Sequence, residues 1–161
     1  MGLDGVRRAV FARHSHPLSA WSRFVTTPVL LAPFWAKKAA VTGVVAAWFT
    51  VNPVMTPEPE HQEGFATRAM LGEEIWSADP GRDRGLVALN VAGSICLAAG
   101  VLAAWHRRAV PAGLGTAGSM ALTMLCWRRY AAIYDAGEFS GDRQGGPADE
   151  ADGPAGDLPR R

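Results

Sequence analysis

The sequence has little charge and little cysteine, and each shortage excludes a class of protein. Charged residues make up 19% of the 161 residues, below the about 25% that is usual in soluble domains. Lysine and arginine together number 16 and aspartate and glutamate 15, so no excess of basic residues favours nucleic acid as a partner. Cys96 and Cys126 lie in separate apolar runs, which argues against a disulfide framework. Both are expected to be free thiols. If their two apolar runs form an antiparallel pair of helices, the two residues lie at levels about 13 Å apart along the helix axes, which is too far for the about 5.5 Å between the Cα atoms of a disulfide.

Long apolar runs take the place of the missing charges. Residues 85–105 and 109–127 carry no charge, and each is close to the about 20 residues that a transmembrane helix needs. Residues 18–35 and 39–51 are weaker candidates, because the first contains Arg23 and two prolines and the second covers only about 20 Å as a helix. The pattern predicts an all-α integral membrane bundle of about four transmembrane helices. The first pair either crosses or forms a re-entrant hairpin, and crossing is favoured.

Tryptophan placement supports the membrane interpretation. An indole prefers the membrane interface, where its ring contacts hydrocarbon and its N–H finds water or a headgroup. Tryptophans lie at or near the ends of the predicted spans: Trp21, Trp35, Trp48, Trp105 and Trp127.

Basic residues near the span ends set the orientation, because cytoplasmic loops carry the excess of lysine and arginine. With four crossings, one side receives Arg7, Arg8, Arg13, Arg23, Arg68, Arg82, Arg84, Arg128 and Arg129, and the other receives Lys37, Lys38, Arg107 and Arg108. This imbalance places residues 1–17, the loop 52–84 and the tail 138–161 in the cytoplasm, with a membrane domain over 18–137 in the cytoplasmic membrane. The tail is rich in glycine, aspartate and proline and is expected to be disordered.

The central loop contains a predicted helix over residues 62–76. Phe65, Ala69, Gly72 and Trp76 share one narrow face of this helix, with polar residues opposite. Such a pattern is typical of an amphipathic helix at the membrane interface, and Trp76 is its expected anchor.

Small residues recur at four-residue spacing in the predicted spans and favour close helix packing in lipid. The repeats are Ala39, Gly43 and Ala47 in the second span, Ala88, Ala92, Cys96, Gly100 and Ala104 in the third, and Gly113, Ala117 and Ala121 in the fourth. The GxGxxG lettering of residues 113–118 is interpreted as packing, because it lies within a span and follows no strand of a nucleotide-binding unit.

The central loop also raises the question of a metal site. Carboxylate and imidazole ligands suit zinc, manganese or iron. The loop supplies Glu58, Glu60, His61 and Glu63, and the N-terminal segment adds His14 and His16. These residues form no paired ligand motif, so a solvated acidic loop is favoured, and no metal, cofactor or catalytic residue is predicted. Glu73 and Glu74 are expected to form a structural ion pair with one of the arginines at residues 128–129.

Four short stretches have the form of motifs: HPLSAWSR at residues 16–23, NP at 52–53, LGEEIW at 71–76 and CWRRYAAIYD at 126–135. They resemble a family of small prokaryotic membrane proteins, classed as a domain of unknown function, whose versions read approximately NPWSxWTR, NPR, LGERVW and DRMVWLYED. Glu74 stands in place of the family's usual arginine, and Arg128-Arg129 in place of its Asp-Arg, as in a compensating charge exchange. The resemblance implies a multi-pass membrane protein and supplies no activity. The motif positions taken as structural candidates are His16, Trp21, Arg23, Asn52, Pro53, Gly72, Glu73, Glu74, Trp76, Arg129, Tyr134 and Asp135.

Three functions are compatible with these features. A structural or interaction role in the cytoplasmic membrane is favoured, with the bilayer, further copies of the chain or other membrane proteins as partners. The alternatives are a membrane enzyme or metal-binding protein that uses the Glu/His loop, and a subunit of an oligomeric transporter or channel. The long spans contain no carboxylate, which weighs against transport.

Overall fold

The computed structural model describes residues 13, 15–57, 61 and 63–144. Every element in this part of the chain is helical, which confirms the predicted all-α class. The α-helices are α1 Pro17–Thr26, α2 Ala32–Ala36, α3 Ala39–Met55, α4 Phe65–Ala78, α5 Arg84–Trp105 and α6 Ala109–Gln144, and 3-10 turns occupy Thr27–Leu31 and Pro80–Arg82.

Helices α5 and α6 form a long antiparallel hairpin that corresponds to the third and fourth predicted spans. An 18-residue stretch within Arg84–Trp105 has a mean hydropathy of 2.2 and one within Ala109–Gly137 has 1.3, and both helices are long and apolar enough to cross a membrane. The apolar part of α3, Ala39–Pro53, is shorter than the about 20 residues that a transmembrane helix needs. Helix α6 continues to Gln144, beyond the predicted membrane domain boundary at residue 137.

The first predicted span is divided into α1, a 3-10 turn and α2. Pro28 lies in the first turn of the 3-10 segment and Pro33 in the first turn of α2, and each proline removes a backbone donor that a continuous α-helix would use. The chain then reverses at Lys37, whose φ of 54° is left-handed. Helix α3 follows and runs to Met55, four residues past its predicted end, with Pro53 in its last turn.

Close approach between α5 and α6 depends on Gly100 and Gly115. A Cβ atom at residue 115 would lie 2.7 Å from the Cys96 carbonyl oxygen and 2.7 Å from the Gly100 nitrogen. A Cβ at residue 100 would lie 3.2 Å from the Ala112 carbonyl oxygen. The two helix backbones are therefore in direct contact, and Gly100 belongs to the repeat predicted for this purpose.

The repeat predicted for α6 is on the wrong face. Gly113, Ala117 and Ala121 are all exposed, and a Cβ added at Gly113 meets no atom within 4 Å. The packed face instead contains Ala112, Gly115, Thr116 and Ser119. Because α6 has small residues on both sides, spacing alone could not identify the buried side.

The hydrophobic core lies at one end of the bundle, where α4 packs across α6. Its members are Ala20 from α1, Ala66, Ala69 and Met70 from α4, Leu86 from α5, and Cys126, Trp127, Tyr130 and Ala131 from α6. We name this the α4 end; the opposite end, with Trp105 and the turn 106–108, is the Trp105 end. Helix α4 is therefore packed against protein on the face that was predicted to lie in the membrane interface.

Elsewhere the two long helices expose large apolar side chains. Examples are Val91, Ile95 and Leu102 on α5 and Val110 and Leu114 on α6. Large exposed apolar side chains in this number are typical of a surface that contacts lipid or another protein.

The glycine contact provides a matched pair of substitutions. Gly115→Ala should lower the free energy of unfolding by about 1–3 kcal/mol, because the added methyl group forces α5 and α6 apart. Gly113→Ala should leave it unchanged or raise it by up to about 1 kcal/mol, since the position is open and alanine favours a helix. Denaturant unfolding of both variants in detergent micelles measures the difference. Equal stability of the two variants would contradict the observed helix face.

Candidate functional site

A cavity of about 280 Å³ lies at the α4 end, between α1, α3, α4 and α6. Arg23 of α1 and Glu73 of α4 bring opposite charges to it. The remaining lining residues are Ala20, Phe24, Thr27, Phe49, Met70, Thr123 and Trp127. Helices from separate parts of the sequence thus build one charged cavity, and both of its charged residues belong to the predicted motifs.

The Arg23 guanidinium is only partly used by the protein. Its Nε donates to the Ser19 carbonyl oxygen at 3.2 Å, and one terminal nitrogen lies 3.9 Å from the Met70 sulfur. Thioether sulfur is a weak acceptor, whereas a guanidinium has five N–H donors. Most of this donor capacity is without a strong protein acceptor among the described residues.

Glu73 faces the same cavity from α4. Burial raises the pKa of the Glu73 carboxyl, and the nearby positive charge of Arg23 opposes this effect without cancelling it. Removal from water disfavours the charged form of a carboxyl group. Glu73 therefore retains its proton to a higher pH than an exposed glutamate.

A ladder of polar side chains holds α1 against α3 next to this cavity. Ser19 Oγ lies 3.2 Å from both the carbonyl oxygen and the Oδ1 of Asn52, and Asn52 Nδ2 donates to Ser22 Oγ at 2.9 Å. One turn further along, Trp48 Nε1 donates to Thr26 Oγ1 at 2.9 Å. Ser19, Ser22 and Thr26 lie on one face of α1, so the ladder sets the rotation of the helix that carries Arg23.

An aromatic cluster forms the other side of α1. The Trp127 ring centroid lies 5.4 Å from those of Trp21 and Phe24, and 6.4 Å from that of Phe65. Trp127 is only 7% exposed. It was predicted as an interface marker, but α1 and α4 cover it within the protein.

Gly72 allows α4 to reach α6. A Cβ at this position would overlap the Tyr130 carbonyl oxygen, so only glycine fits. The rings of Trp76 and Tyr130 pack at 5.5 Å, and the buried Trp76 Nε1 has no hydrogen-bond partner in the described part of the chain. Trp76 thus anchors α4 to α6, in contrast to its predicted role at the membrane interface. Tyr130 extends the contact to α5, because its hydroxyl accepts a hydrogen bond from Asn90 Nδ2 at 2.9 Å.

Two ion pairs surround this contact. Arg68 of α4 contacts both carboxylate oxygens of Asp135 at 3.1 Å. Arg129 contacts both oxygens of Asp83 at 3.2 Å, and Asp83 also caps α5 by accepting from the Leu86 N–H at 3.0 Å. Of the two arginines predicted to pair with a glutamate of α4, Arg129 pairs with Asp83 instead, because it is turned toward the start of α5.

The other motif positions lie at the same end of the bundle. His16 caps α1, where its Nδ1 accepts from the Leu18 N–H at 3.2 Å. Pro53 follows Asn52 in the last turn of α3. Glu74 and Tyr134 are partly buried on α4 and α6. The sequence did not single out Ser19, Ser22 or Tyr130, although all three are inside the motif stretches.

The metal hypothesis for the central loop gains no geometric support. Within the described residues, no three histidine, cysteine, aspartate or glutamate side chains come close enough to hold a metal ion. His61 and Glu63 are exposed, and Glu58, Glu60 and His14 lie outside the described residues.

Residues 1–136 match the family described as Family of unknown function (DUF6653). The chain belongs to this family. Membership confirms the predicted resemblance to a family of unknown function. No match is found among curated proteins or among solved structures.

The DUF6653 match ends at residue 136, one position after Asp135. The matched region therefore contains the whole cavity, the polar ladder and both ion pairs.

Asn52 provides the first test of this site. Asn52→Ala should lower the free energy of unfolding by about 1–3 kcal/mol, because the hydroxyl groups of Ser19 and Ser22 lose their partner in a buried setting. Ser94→Ala serves as the control, since Ser94 is exposed and bonds only within α5. Thermal unfolding in detergent compares the two, and an equal effect would contradict the ladder.

Glu73 provides a test by pH. A carboxyl group whose pKa is raised on folding stabilises the folded state fully below its unfolded pKa, and this contribution is lost as pH rises through the folded pKa. The free energy of unfolding of the original chain should therefore decrease as the pH rises from acidic to neutral. This decrease should be smaller in Glu73→Gln, which has no carboxyl group at residue 73, and unchanged in Glu74→Gln. Identical pH profiles for Glu73→Gln and the original chain would rule out the assigned burial of Glu73.

Proposed function

We propose that the chain is a multi-pass integral protein of the cytoplasmic membrane with a structural or interaction role. Four helical segments cross the bilayer, both termini are cytoplasmic, and α4 closes the cytoplasmic end of the bundle. The observation that carries this proposal is the path of the first helical segment, which runs from one end of α5 to the other.

Contacts at both ends support that path. In the middle of α1, the Trp21 ring packs on Trp127 in the core of the α4 end. After α2, the Lys37 ammonium lies 4.3 Å from the ring centroid of Trp105, the last residue of α5. Helix α5 has 22 residues and is about 33 Å long, comparable to the about 30 Å of bilayer hydrocarbon. The path from α1 through α2 is thus long enough to cross.

The return path along α3 agrees with this topology. Helix α3 has 17 residues and covers about 25 Å, longer than its predicted 39–51 extent. Its far end brings Asn52 back to Ser19 at the α4 end. Lys37 and Lys38 remain at the Trp105 end, where their long side chains reach headgroups.

Charge and exposure favour the same arrangement. The α4 end carries Arg68, Arg84 and Arg129, as expected for the cytoplasmic side, and the apolar side chains exposed on α5 and α6 suit contact with lipid. Charged groups that a transport path needs are missing from residues 85–105 and 109–127, so a structural role is the better fit.

Cysteine accessibility tests the number of crossings. The native Cys96 and Cys126 are replaced by alanine, and single cysteines are introduced as Lys38→Cys, His106→Cys and Ser77→Cys. A membrane-impermeant maleimide added to spheroplasts should label Lys38→Cys and His106→Cys, because both turns face outward in a four-span protein. Ser77→Cys should be labelled only after lysis.

The re-entrant alternative gives a different pattern. In that case Lys38→Cys would be protected until lysis, while His106→Cys would still be labelled from outside. Thermal unfolding of each variant, compared with the cysteine-free chain, shows whether the substitutions leave the bundle intact.

A further inference from the structure

The cavity at the α4 end holds two opposite charges that the protein itself leaves largely unused. Arg23 donates to one backbone carbonyl oxygen and approaches one thioether. The Glu73 carboxylate has no hydrogen-bond donor among the described residues, and the guanidinium is its source of positive charge. Both side chains are partly buried, and charged groups that are drawn out of water are stabilised by partners of opposite charge.

We propose that this cavity binds a small zwitterion, with its anionic group on Arg23 and its primary ammonium group on Glu73. A guanidinium pairs readily with phosphate or carboxylate oxygens, in bidentate geometry where space allows. An ammonium group supplies the three donors that the Glu73 carboxylate lacks.

The balance of charge distinguishes a zwitterion from a simple ion. A bare anion at Arg23 is repelled by the carboxylate of Glu73, and a bare cation at Glu73 is repelled by Arg23. A molecule that carries one negative and one positive group pairs with Arg23 and Glu73 at the same time. Burial raises the pKa of Glu73 although Arg23 opposes this effect, so Arg23 stabilises the negative charge of the carboxylate only in part. The ammonium group of the ligand is a second positive charge that stabilises the same carboxylate.

The volume of the cavity suits a charged group of the size of an amino acid or a lipid headgroup. The cavity of about 280 Å³ is at or below the lower bound of the about 300–1,000 Å³ usual for drug-sized ligands. Phe24, Phe49 and Trp127 line it and provide apolar surface against the carbon chain between the two charged groups. Either a phosphoethanolamine headgroup or a free zwitterion supplies the required chemistry.

Binding measurements on the full chain in nanodiscs test the proposal. Free phosphoethanolamine is titrated into chain held in phosphatidylglycerol nanodiscs, with inorganic phosphate as the anion that lacks an ammonium group. In parallel, native mass spectrometry follows retention of phosphatidylethanolamine against phosphatidylglycerol. At least one zwitterion should bind about tenfold or more tightly than its matched anion, because the Glu73 contact is charge-assisted. Retention of the lipid alone indicates a headgroup site, and binding of the free molecule alone indicates a soluble ligand.

Matched substitutions identify the residues involved. Glu73→Gln and Arg23→Gln should each weaken binding about tenfold or more, whereas Glu74→Gln should bind as the original chain does. Equal binding of zwitterion and anion, or unchanged zwitterion binding by Glu73→Gln, would overturn the proposal. The comparison of zwitterion binding with anion binding uses only the original chain, so it tests the proposal even if Arg23→Gln does not fold. Failure here leaves the number of membrane crossings untouched, because the cysteine labelling tests that separately.

Discussion

The backbone of α4 meets the backbone of α6 at Gly72, where no side chain fits between residue 72 and the Tyr130 carbonyl group. This approach brings Met70 into the core and Glu73 to the cavity. It also places Trp76 against the Tyr130 ring and Arg68 within reach of Asp135. A helix that joins the two hairpins is thereby fixed to the longest helix of the bundle. This contact holds the α4 wall of the charged cavity in position.

The two hairpins are held together by different means. In the first, α1 is aligned by hydrogen bonds in both directions: Ser19 donates to Asn52, while Asn52 donates to Ser22 and Trp48 donates to Thr26. These bonds compensate for a path broken by prolines. In the second, Gly100 and Gly115 let the helices touch along their backbones. Polar bonds and small-residue contacts are the two interactions that hold helices together in lipid, where apolar burial between helices gives little net advantage. Arg23 lies on the first hairpin, and its position is set on one side of α1 by these hydrogen bonds and on the other by the packing of Trp21 and Phe24 on Trp127.

The sequence predicted the elements better than their faces. Residues 85–105 and 109–127 were identifiable because long uncharged runs have few other structures available to them. The buried face of α6 was not identifiable, since Gly113 and Gly115 are equally small and lie on different sides of the helix. Trp127 has the position expected of an interface residue, and only the packing of α1 and α4 on it reveals that it is buried.

The cavity itself was partly predictable. Arg23 and Glu73 were singled out because they lie in motif stretches. That both line one cavity depends on the path of the chain through α2 and α3, which cannot be predicted from residue spacing. The face that contains Gly72 and Trp76 was recognised as apolar. Such a face has the same sequence pattern whether it contacts lipid or a neighbouring helix. Asp83 was not predicted as the partner of Arg129, because the central loop contains several acidic residues and the sequence alone does not show which of them lies next to this arginine.

Amide hydrogen exchange on Gly72→Ala most directly tests whether the α4 contact organises this end of the protein. The added methyl group should displace α4 from α6, because a side chain at this position overlaps the Tyr130 carbonyl group. We predict that amides of Phe65–Ala78 lose protection in this variant, while those of Arg84–Trp105 retain it, and that Gly113→Ala changes neither. Unchanged protection of Phe65–Ala78 in Gly72→Ala would contradict the account.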